Sequence, residues 1–461
     1  MNIDFQLEIP EHLGTVHFIG IGGSGMNGIA SMIAARGVPV QGSDRSESPV
    51  TEHLQAEGIR TFLGQRAENL GAADTVVVSS AIPESNPELQ EARRRGLLVL
   101  HRSQALAWLA RGHRSVAVAG AHGKTTSTGM LVTGLQKLGG SPSFVDGDVI
   151  RELGTNWGVG DSDVFIFEAD ESDGSFLVYR PWAELITNLD ADHLDHYGDR
   201  EHIEEAFVQF TGHAAGPVII NGDNAMCQAV LPRMPHTVPF GKGEDLPARI
   251  LSFDQPELVC QYRGERASAE LVLPGRHNAR NALGAAVTLT ELGFSFPEAL
   301  QAVASYRGTH RRFDLVGEAG GVRVYDDYAH HPTEVAAVLQ AAHSVIRPGG
   351  RILAVHQPHL FSRTRDHADE FAEVFSKHTD FTVVLDVFAA REDPIPGIDA
   401  AWVASRFPDP SQVRAISDWT EAASVVAQRA QPGDIVLTLG GGDVYRIAPM
   451  ILAALHTRFG E

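Results

Sequence analysis

One stretch constrains this chain more than any other: Ser115-Val116-Ala117-Val118-Ala119-Gly120-Ala121-His122-Gly123-Lys124-Thr125-Thr126. A short apolar run leads into a glycine-rich turn and then a helix start, the order of a phosphate-binding loop. Glycine lets the backbone curl so that its N–H groups face phosphate oxygens. The helix adds the positive end of its dipole. In this arrangement Lys124 reaches the outer phosphates and the Thr125 hydroxyl holds Mg²⁺. The general pattern wants glycine where Val118 stands, so this is a compressed form, Gly-x-His-Gly-Lys-Thr. A chance Gly-Lys-Thr at a helix start is the alternative; the strand before and the helix after favour a nucleoside triphosphate.

A second glycine loop lies nearer the N-terminus. An apolar strand, Thr15 to Ile19, runs into Gly20-Ile21-Gly22-Gly23-Ser24-Gly25 and a helical run from Met26 to about Arg36. This satisfies G-x-G-x-x-G in a strand–turn–helix context. The next strand ends on Ser43-Asp44, about 20 residues past the loop, where a ribose-binding acid is expected. Further strands are expected at Thr75–Ser79 and Leu97–Leu100. The first hundred residues read as a doubly wound βα domain for a nucleotide or a nucleotide-sugar, against the plainer reading of a tightly packed βα turn.

After the phosphate loop, the strand Asp163–Phe167 exits into Glu168-Ala169-Asp170-Glu171-Ser172-Asp173. Four acids in six residues at the end of a buried strand are costly unless they bind something. At the C-terminal edge of a parallel sheet that partner is Mg²⁺, the alternative being a solvated acidic turn. The strand Glu184–Asn188 leads to Asp190-Ala191-Asp192-His193, a second acidic exit, so Glu168 and His193 become candidate metal ligands. Val218–Asp223 closes this sheet pattern. Leu273-Pro274-Gly275-Arg276-His277-Asn278 opens an alanine-rich helix; Asn278 suits either an adenine edge or a helix cap.

A third βα unit is expected from Gly320, with strands at Val322–Tyr325, Arg351–His356, Phe381–Leu385 and Ile435–Leu439. Its strand exits collect Asp326-Asp327-Tyr328-Ala329-His330-His331 and Gln357-Pro358-His359-Leu360-Phe361-Ser362-Arg363-Thr364-Arg365. Arg363 and Arg365 can bind a carboxylate or phosphate, or simply begin a basic helix. The expected fold class is therefore α/β with three domains: an N-terminal Rossmann-like domain (1–113), a central phosphate-loop ATPase-like parallel sheet (114–319) and a C-terminal Rossmann-like domain (320–461).

The net charge of −21 argues against a nucleic-acid partner. Anion sites on such a chain must be local, built from glycine loops or arginines. Two cysteines make neither a disulfide framework nor a zinc site. There is no signal pattern, and no apolar run reaches about 18 residues, so no membrane association and a cytoplasmic location are expected.

Taken together, these motifs resemble the Mur ligases, the ATP-dependent amino-acid-adding enzymes of peptidoglycan synthesis. The resemblance runs in colinear order over nearly the whole chain. Its carriers are Gly20 to Met26, Gly120 to Thr126, Glu168 to Asp173, Leu273 to Asn278, Asp326 to Glu334 and Gln357 to His359. It implies a carboxylate–amine ligase using ATP and Mg²⁺, with UDP-N-acetylmuramate and L-alanine as substrates. An enzyme adding a recycled tripeptide to the same UDP-sugar is the alternative. It places Gly22, Gly23, Ser24, Gly25 and Met26 at the diphosphate, with Ser43 and Asp44 nearby. It places Gly120, Ala121, His122, Gly123, Lys124, Thr125 and Thr126 around ATP and Asn278 at the adenine. Thr125, Glu168 and His193 would hold Mg²⁺; His330, Arg363 and Arg365 would sit near the incoming amino acid. Lys124, Glu168, His193 and His330 carry the chemistry, His330 as a candidate base. A monomer or weak homodimer is expected.

The chain departs from the family pattern at Ala121, where threonine or serine is usual, and at Leu360, where an arginine is usual. No lysine lies between His193 and Lys242, so the carbamylated lysine of several relatives is not expected. Two rivals come from other classes. A dehydrogenase explains Gly20–Gly25 and Asp44 but leaves Lys124, Glu168 and His193 without a role. A non-catalytic nucleotide sensor would bind ATP without releasing phosphate.

Overall fold

The computed structural model describes residues 3–5, 7–390 and 392–460, apart from the side chains of Ser24, Leu194 and Asp195. Three sheets follow one another along the chain. The first is wholly parallel: β1 (Val16–Ile19), β2 (Val40–Asp44), β3 (Arg60–Leu63), β4 (Thr75–Val78) and β5 (Leu98–His101), in the order β3-β2-β1-β4-β5. Every β1 residue is buried, as a strand covered on both faces requires. The order reverses between β1 and β4, which opens a crevice at the carboxyl end of β1. The G-x-G-x-x-G turn lies there, followed by the helix Ser24–Ala35.

The second sheet has ten strands: β6 (Arg114–Ala119), β7 (Ser143–Ile150), β8 (Thr155–Gly158), β9 (Val164–Glu168), β10 (Ala183–Ile186), β11 (Val218–Asn221), β12 (Thr237–Gly241), β13 (Ala248–Asp254), β14 (Glu257–Tyr262) and β15 (Glu265–Glu270). Their order is β15-β14-β13-β12-β11-β10-β6-β9-β7-β8. The centre is parallel; β8 at one end and β14–β15 at the other are antiparallel additions. The helix Lys124–Lys137 that follows β6 is buried continuously from Thr125 to Leu135. Glycines make that possible: a Cβ at Gly129 would overlap the Tyr306 hydroxyl, and one at Gly134 would lie 2.8 Å from Val303 Cγ1.

The third sheet comprises β16 (Asp314–Ala319), β17 (Val322–Asp327), β18 (Ile352–His356), β19 (Phe381–Val384), β20 (Val413–Ala415) and β21 (Ile435–Leu439), in the order β16-β17-β21-β18-β19-β20. All pairs are parallel except the hairpin β16–β17, which carries this sheet back to Asp314, ahead of Gly320. The chain divides into two compact units. One holds Met1–Leu271 with Arg280–Arg307, and so the first two sheets; the other holds Val272–Ala279 with Gly308–Glu461, and so the third. No helix among the described residues is long and apolar enough to cross a membrane.

Candidate active site

The phosphate loop leaves β6 at Gly120 (φ +132°), where a side chain would strike Thr187 and come within 2.7 Å of the Asn188 carbonyl. The loop is tied to the neighbouring strand exit. Ala121 N–H donates to Asn188 O (3.3 Å) and His122 N–H to Asn188 Oδ1 (2.9 Å). The His122 carbonyl accepts from Thr187 Oγ1 (2.7 Å) and Asn188 Nδ2 (2.8 Å). His122 Nε2 lies 3.2 Å from Asp190 Oδ2. Gly123 (φ +83°) begins the helix, and a Cβ there would sit 3.1 Å from Asn281 Oδ1. Asn281, which the sequence reading did not single out, therefore roofs the loop. Ala121 is held by its backbone, so a side-chain hydroxyl is not needed to shape the cradle.

The strands carrying the other candidates flank this loop. In the sheet, β6 lies between β9, which ends on Glu168, and β10, whose exit holds Asn188 to His193. The acidic exit is not one cluster; its four carboxylates go separate ways. Glu168 Oε1 shares the Gly147 N–H (3.0 Å) with Asp146 Oδ1 (2.8 Å). Asp170 accepts from Arg102 Nη2 (2.5 Å). Glu171 accepts from Lys124 Nζ through both oxygens (2.8 and 3.0 Å). Asp173 accepts from Ser80 Oγ and lies 3.6 Å from His101 Nε2. His193 (φ +56°) faces Glu171, Nε2 to Oε1 3.8 Å.

Electrostatics follow the partners. Burial pushes Asp146 well above the usual carboxylate range, and the adjacent Glu168 adds to it. Burial opposes ionisation of Asp170 too, but Arg102 and Lys124 outweigh it and hold that carboxyl low. Burial raises Glu171 against the pull of Lys124. Burial brings His101 down to about 4, so it is neutral. Glu168 and Asp146 thus stand side by side on one N–H, while His193 faces Glu171 and Asp192.

In the first sheet, Gly20 (φ +78°) and Ile21 donate their N–H groups to the Ser43 carbonyl (2.8 and 3.0 Å). Gly22 N–H donates to Asp44 Oδ2 (2.9 Å), so Asp44 shapes the glycine loop itself. Ser43 Oγ donates to Glu88 Oε2 (2.6 Å), a buried carboxylate that also takes His17 Nε2 (3.2 Å), Arg66 N–H (3.1 Å) and Asn69 Nδ2 (2.6 Å). Gly23 N–H turns back to the Gly20 carbonyl (3.1 Å). Met26 is buried, and its N–H donates to the Gly23 carbonyl (2.9 Å). The Ser24 side chain lies outside the described residues. A Cβ at Gly25 would fall 2.8 Å from Arg102 Nη1: this arginine lies over the loop while pairing with Asp170. Arg102 was not legible from sequence, where it is one arginine at a helix start.

In the second unit, His330 Nδ1 lies 2.9 Å from the Tyr328 carbonyl, which can only accept. That fixes the proton on Nδ1 and leaves Nε2 as an acceptor. Burial, with the Arg363 charge adding to it, brings His330 down to about 4. The His330 and His359 rings stand 5.2 Å apart, and a Cβ at Gly441 would lie 3.1 Å from His330 Cγ. Arg363 and Arg365 separate: Arg365 is exposed and paired to Asp366 (2.6 and 3.0 Å). Leu360 takes a left-handed φ of +68° just before the helix Phe361–His378. Asn278 is buried, its Nδ2 donating to the Pro274 carbonyl (2.7 Å).

A phosphate loop on one parallel sheet, a dinucleotide-type glycine loop on another and a basic, histidine-bearing strand edge on a third mark a nucleotide-using enzyme with several substrates. Comparison with known proteins narrows the class. Family models match in order: "Mur ligase family, catalytic domain" over residues 15–114, "Mur ligase middle domain" over 118–289 and "Mur ligase, glutamate ligase domain" over 311–442. The chain is 50% identical over 462 residues to a UDP-N-acetylmuramate–L-alanine ligase of Clavibacter michiganensis (99% of this chain, 97% of that one). It is 45% identical to one from Paenarthrobacter aurescens (96% and 98%). The crystal structure of a UDP-N-acetylmuramate-alanine ligase from Thermotoga maritima superposes with a TM-score of 0.82 at 26% identity (96% and 99%). A murein peptide ligase from Psychrobacter arcticus gives 0.71 at 24% identity (96% and 98%). The chain belongs to the Mur ligase family.

Proposed function

We propose that this protein joins L-alanine to the carboxylate of UDP-N-acetylmuramate at the expense of ATP, a cytoplasmic step in building peptidoglycan precursor. The observation that carries this reading is half-identity, end to end, with a ligase of that name, on a chain whose phosphate loop is intact. The first sheet takes the UDP-sugar at Gly22–Met26, the second takes ATP at Gly120–Thr126 with Asn278 at the adenine, and the third supplies His330 and Arg363 to the amino acid. Arg365, turned to Asp366 in this conformation, has to leave that partner to join them. We take the enzyme to act as a monomer or weak homodimer.

A carboxylate is a poor electrophile. Its oxygen attacks the γ-phosphorus, the bond to the β-phosphate oxygen breaks, and ADP leaves an acyl phosphate. Lys124 neutralises charge on the transferring group. Thr125, Glu168 and His193 would hold Mg²⁺, which supplies further charge neutralisation when bound. The amine of alanine then attacks the acyl carbon. The tetrahedral intermediate expels phosphate, and the amine proton passes to a base. His330, neutral and with Nε2 open, has the right form for that role.

The test is phosphate release with UDP-N-acetylmuramate, ATP and Mg²⁺, comparing L-alanine with the tripeptide L-Ala-γ-D-Glu-diaminopimelate. Release that depends on L-alanine is expected. Release with the tripeptide alone would move the protein to the recycling role, and release with neither would overturn the ligase reading.

A further inference from the structure

The Lys124 ammonium has three N–H bonds and no more. In this structure Nζ faces four oxygens, Gly120 O at 2.6 Å, both Glu171 carboxylate oxygens at 2.8 and 3.0 Å and, further off, Ala121 O at 3.4 Å, which together take all three. The side chain is curled back onto its own loop. Glu171 is almost fully buried, and its position is set from behind, where the Tyr197 hydroxyl (2.5 Å) and Gly174 N–H (3.0 Å) both donate to its carbonyl. No donor of Lys124 remains for a phosphate unless one of these contacts opens. Glu171 is the charged partner, and incoming phosphate oxygens repel its carboxylate while competing for the same ammonium.

We propose that Glu171 is a positioning residue acting through Lys124: it holds the ammonium in place, yields it to the nucleotide phosphates, and takes it back as product ADP leaves. The inference rests on the reading of Lys124 as the phosphate-loop lysine. Glu171 thereby weakens nucleotide binding and speeds turnover, because an interaction made only in the free enzyme is subtracted from the affinity of every nucleotide alike.

The experiment is titration calorimetry of magnesium ADP and magnesium ATP onto the full chain, with Glu171→Gln and Glu171→Asp. Removing one charge-assisted partner of Lys124 should tighten both nucleotides about tenfold. KM for ATP and kcat should fall together as ADP release slows. In a Lys124→Met background the Glu171→Gln change should lose most of its effect. Equal tightening with and without Lys124 would mean plain charge repulsion and would overturn the claim that Glu171 acts through it. Unchanged or weakened binding in a variant that melts like the parent would also overturn it. Should Glu171→Gln fail to fold, Glu171→Asp, which cannot reach Nζ in the same way, carries the test. If the parent chain binds neither nucleotide, it is the ATP reading that fails.

Discussion

Glu184 sits in the middle of β10, paired in register with Ala117 of β6 and Val218 of β11, and is fully buried. Neither carboxyl oxygen has a hydrogen-bond partner among the described residues, and burial alone pushes the group well above the usual carboxylate range. Replacement by leucine, similar in length, should stabilise the protein in two ways. Removing a buried polar group without a partner should return about 1–3 kcal/mol. The second contribution depends on pH. The unfolded chain ionises Glu184 above about pH 4.3, whereas the folded chain keeps the proton, so the unfolded state binds fewer protons and stability falls as pH rises. The slope is about 1.4 kcal/mol per pH unit until the folded value is reached. Thermal melting of parent and Glu184→Leu from about pH 5 to about pH 8 should show the variant more stable throughout, with a gap that widens with pH. Glu184→Gln should remove the widening while leaving the unpaired polar group in place. A leucine variant no more stable than the parent, or a gap indifferent to pH, would refute the reasoning.

Other outcomes follow from the same geometry. Lys124→Ala should reduce phosphate release at least a hundredfold, roughly the loss when one transition-state charge partner is removed, and should also lower the melting temperature, because it leaves the buried Glu171 carboxylate without its cation. Arg102→Ala breaks the pair with Asp170 above Gly25; we expect KM for the UDP-sugar to rise more than kcat falls, with Arg102→Lys in between, as steady-state kinetics with each substrate varied will show. His330→Asn should lower kcat and flatten its acid limb near the imidazole value of about 4, measured by phosphate release across pH. Gly129→Ala puts a Cβ into the Tyr306 hydroxyl and within 2.6 and 2.8 Å of its ring carbons Cζ and Cε2 and should cost about 1–3 kcal/mol, read by denaturant unfolding; a variant as stable as the parent would mean that the helix and Tyr306 are not packed this closely.

Strands buried on both faces were the most legible part of the sequence. Val16–Ile19, Val116–Ala119 and Ile435–Leu439 are apolar runs broken only by His17 and Thr438, and each appears as a central parallel strand. The antiparallel additions were not legible: Thr155–Gly158 is half-buried throughout and Glu265–Glu270 is mostly polar, so neither carries an apolar signal. At the site, sequence spacing located the acids but not their partners. Asp170 and Glu171 are adjacent in the chain, yet one pairs with Arg102 and the other with Lys124, contacts that only the fold brings about. Asp44 stands at the spacing of a ribose acid and holds the Gly22 N–H. The divergence of Arg363 from Arg365 was available in principle, since residues two apart on a helix point to different sides. Glu184 lies inside a run that reads as strand; nothing local says that its carboxyl finds no partner.

The most direct test of the central claim follows one oxygen atom. UDP-N-acetylmuramate with its carboxylate labelled in ¹⁸O is incubated with the enzyme, ATP, Mg²⁺ and L-alanine, and the inorganic phosphate is analysed by mass. An acyl phosphate transfers one carboxylate oxygen to phosphorus, so the account predicts one ¹⁸O in each phosphate released and a UDP-sugar product that has lost one label and gained alanine. Unlabelled phosphate would contradict it, for ATP would then be spent without ever activating the carboxylate.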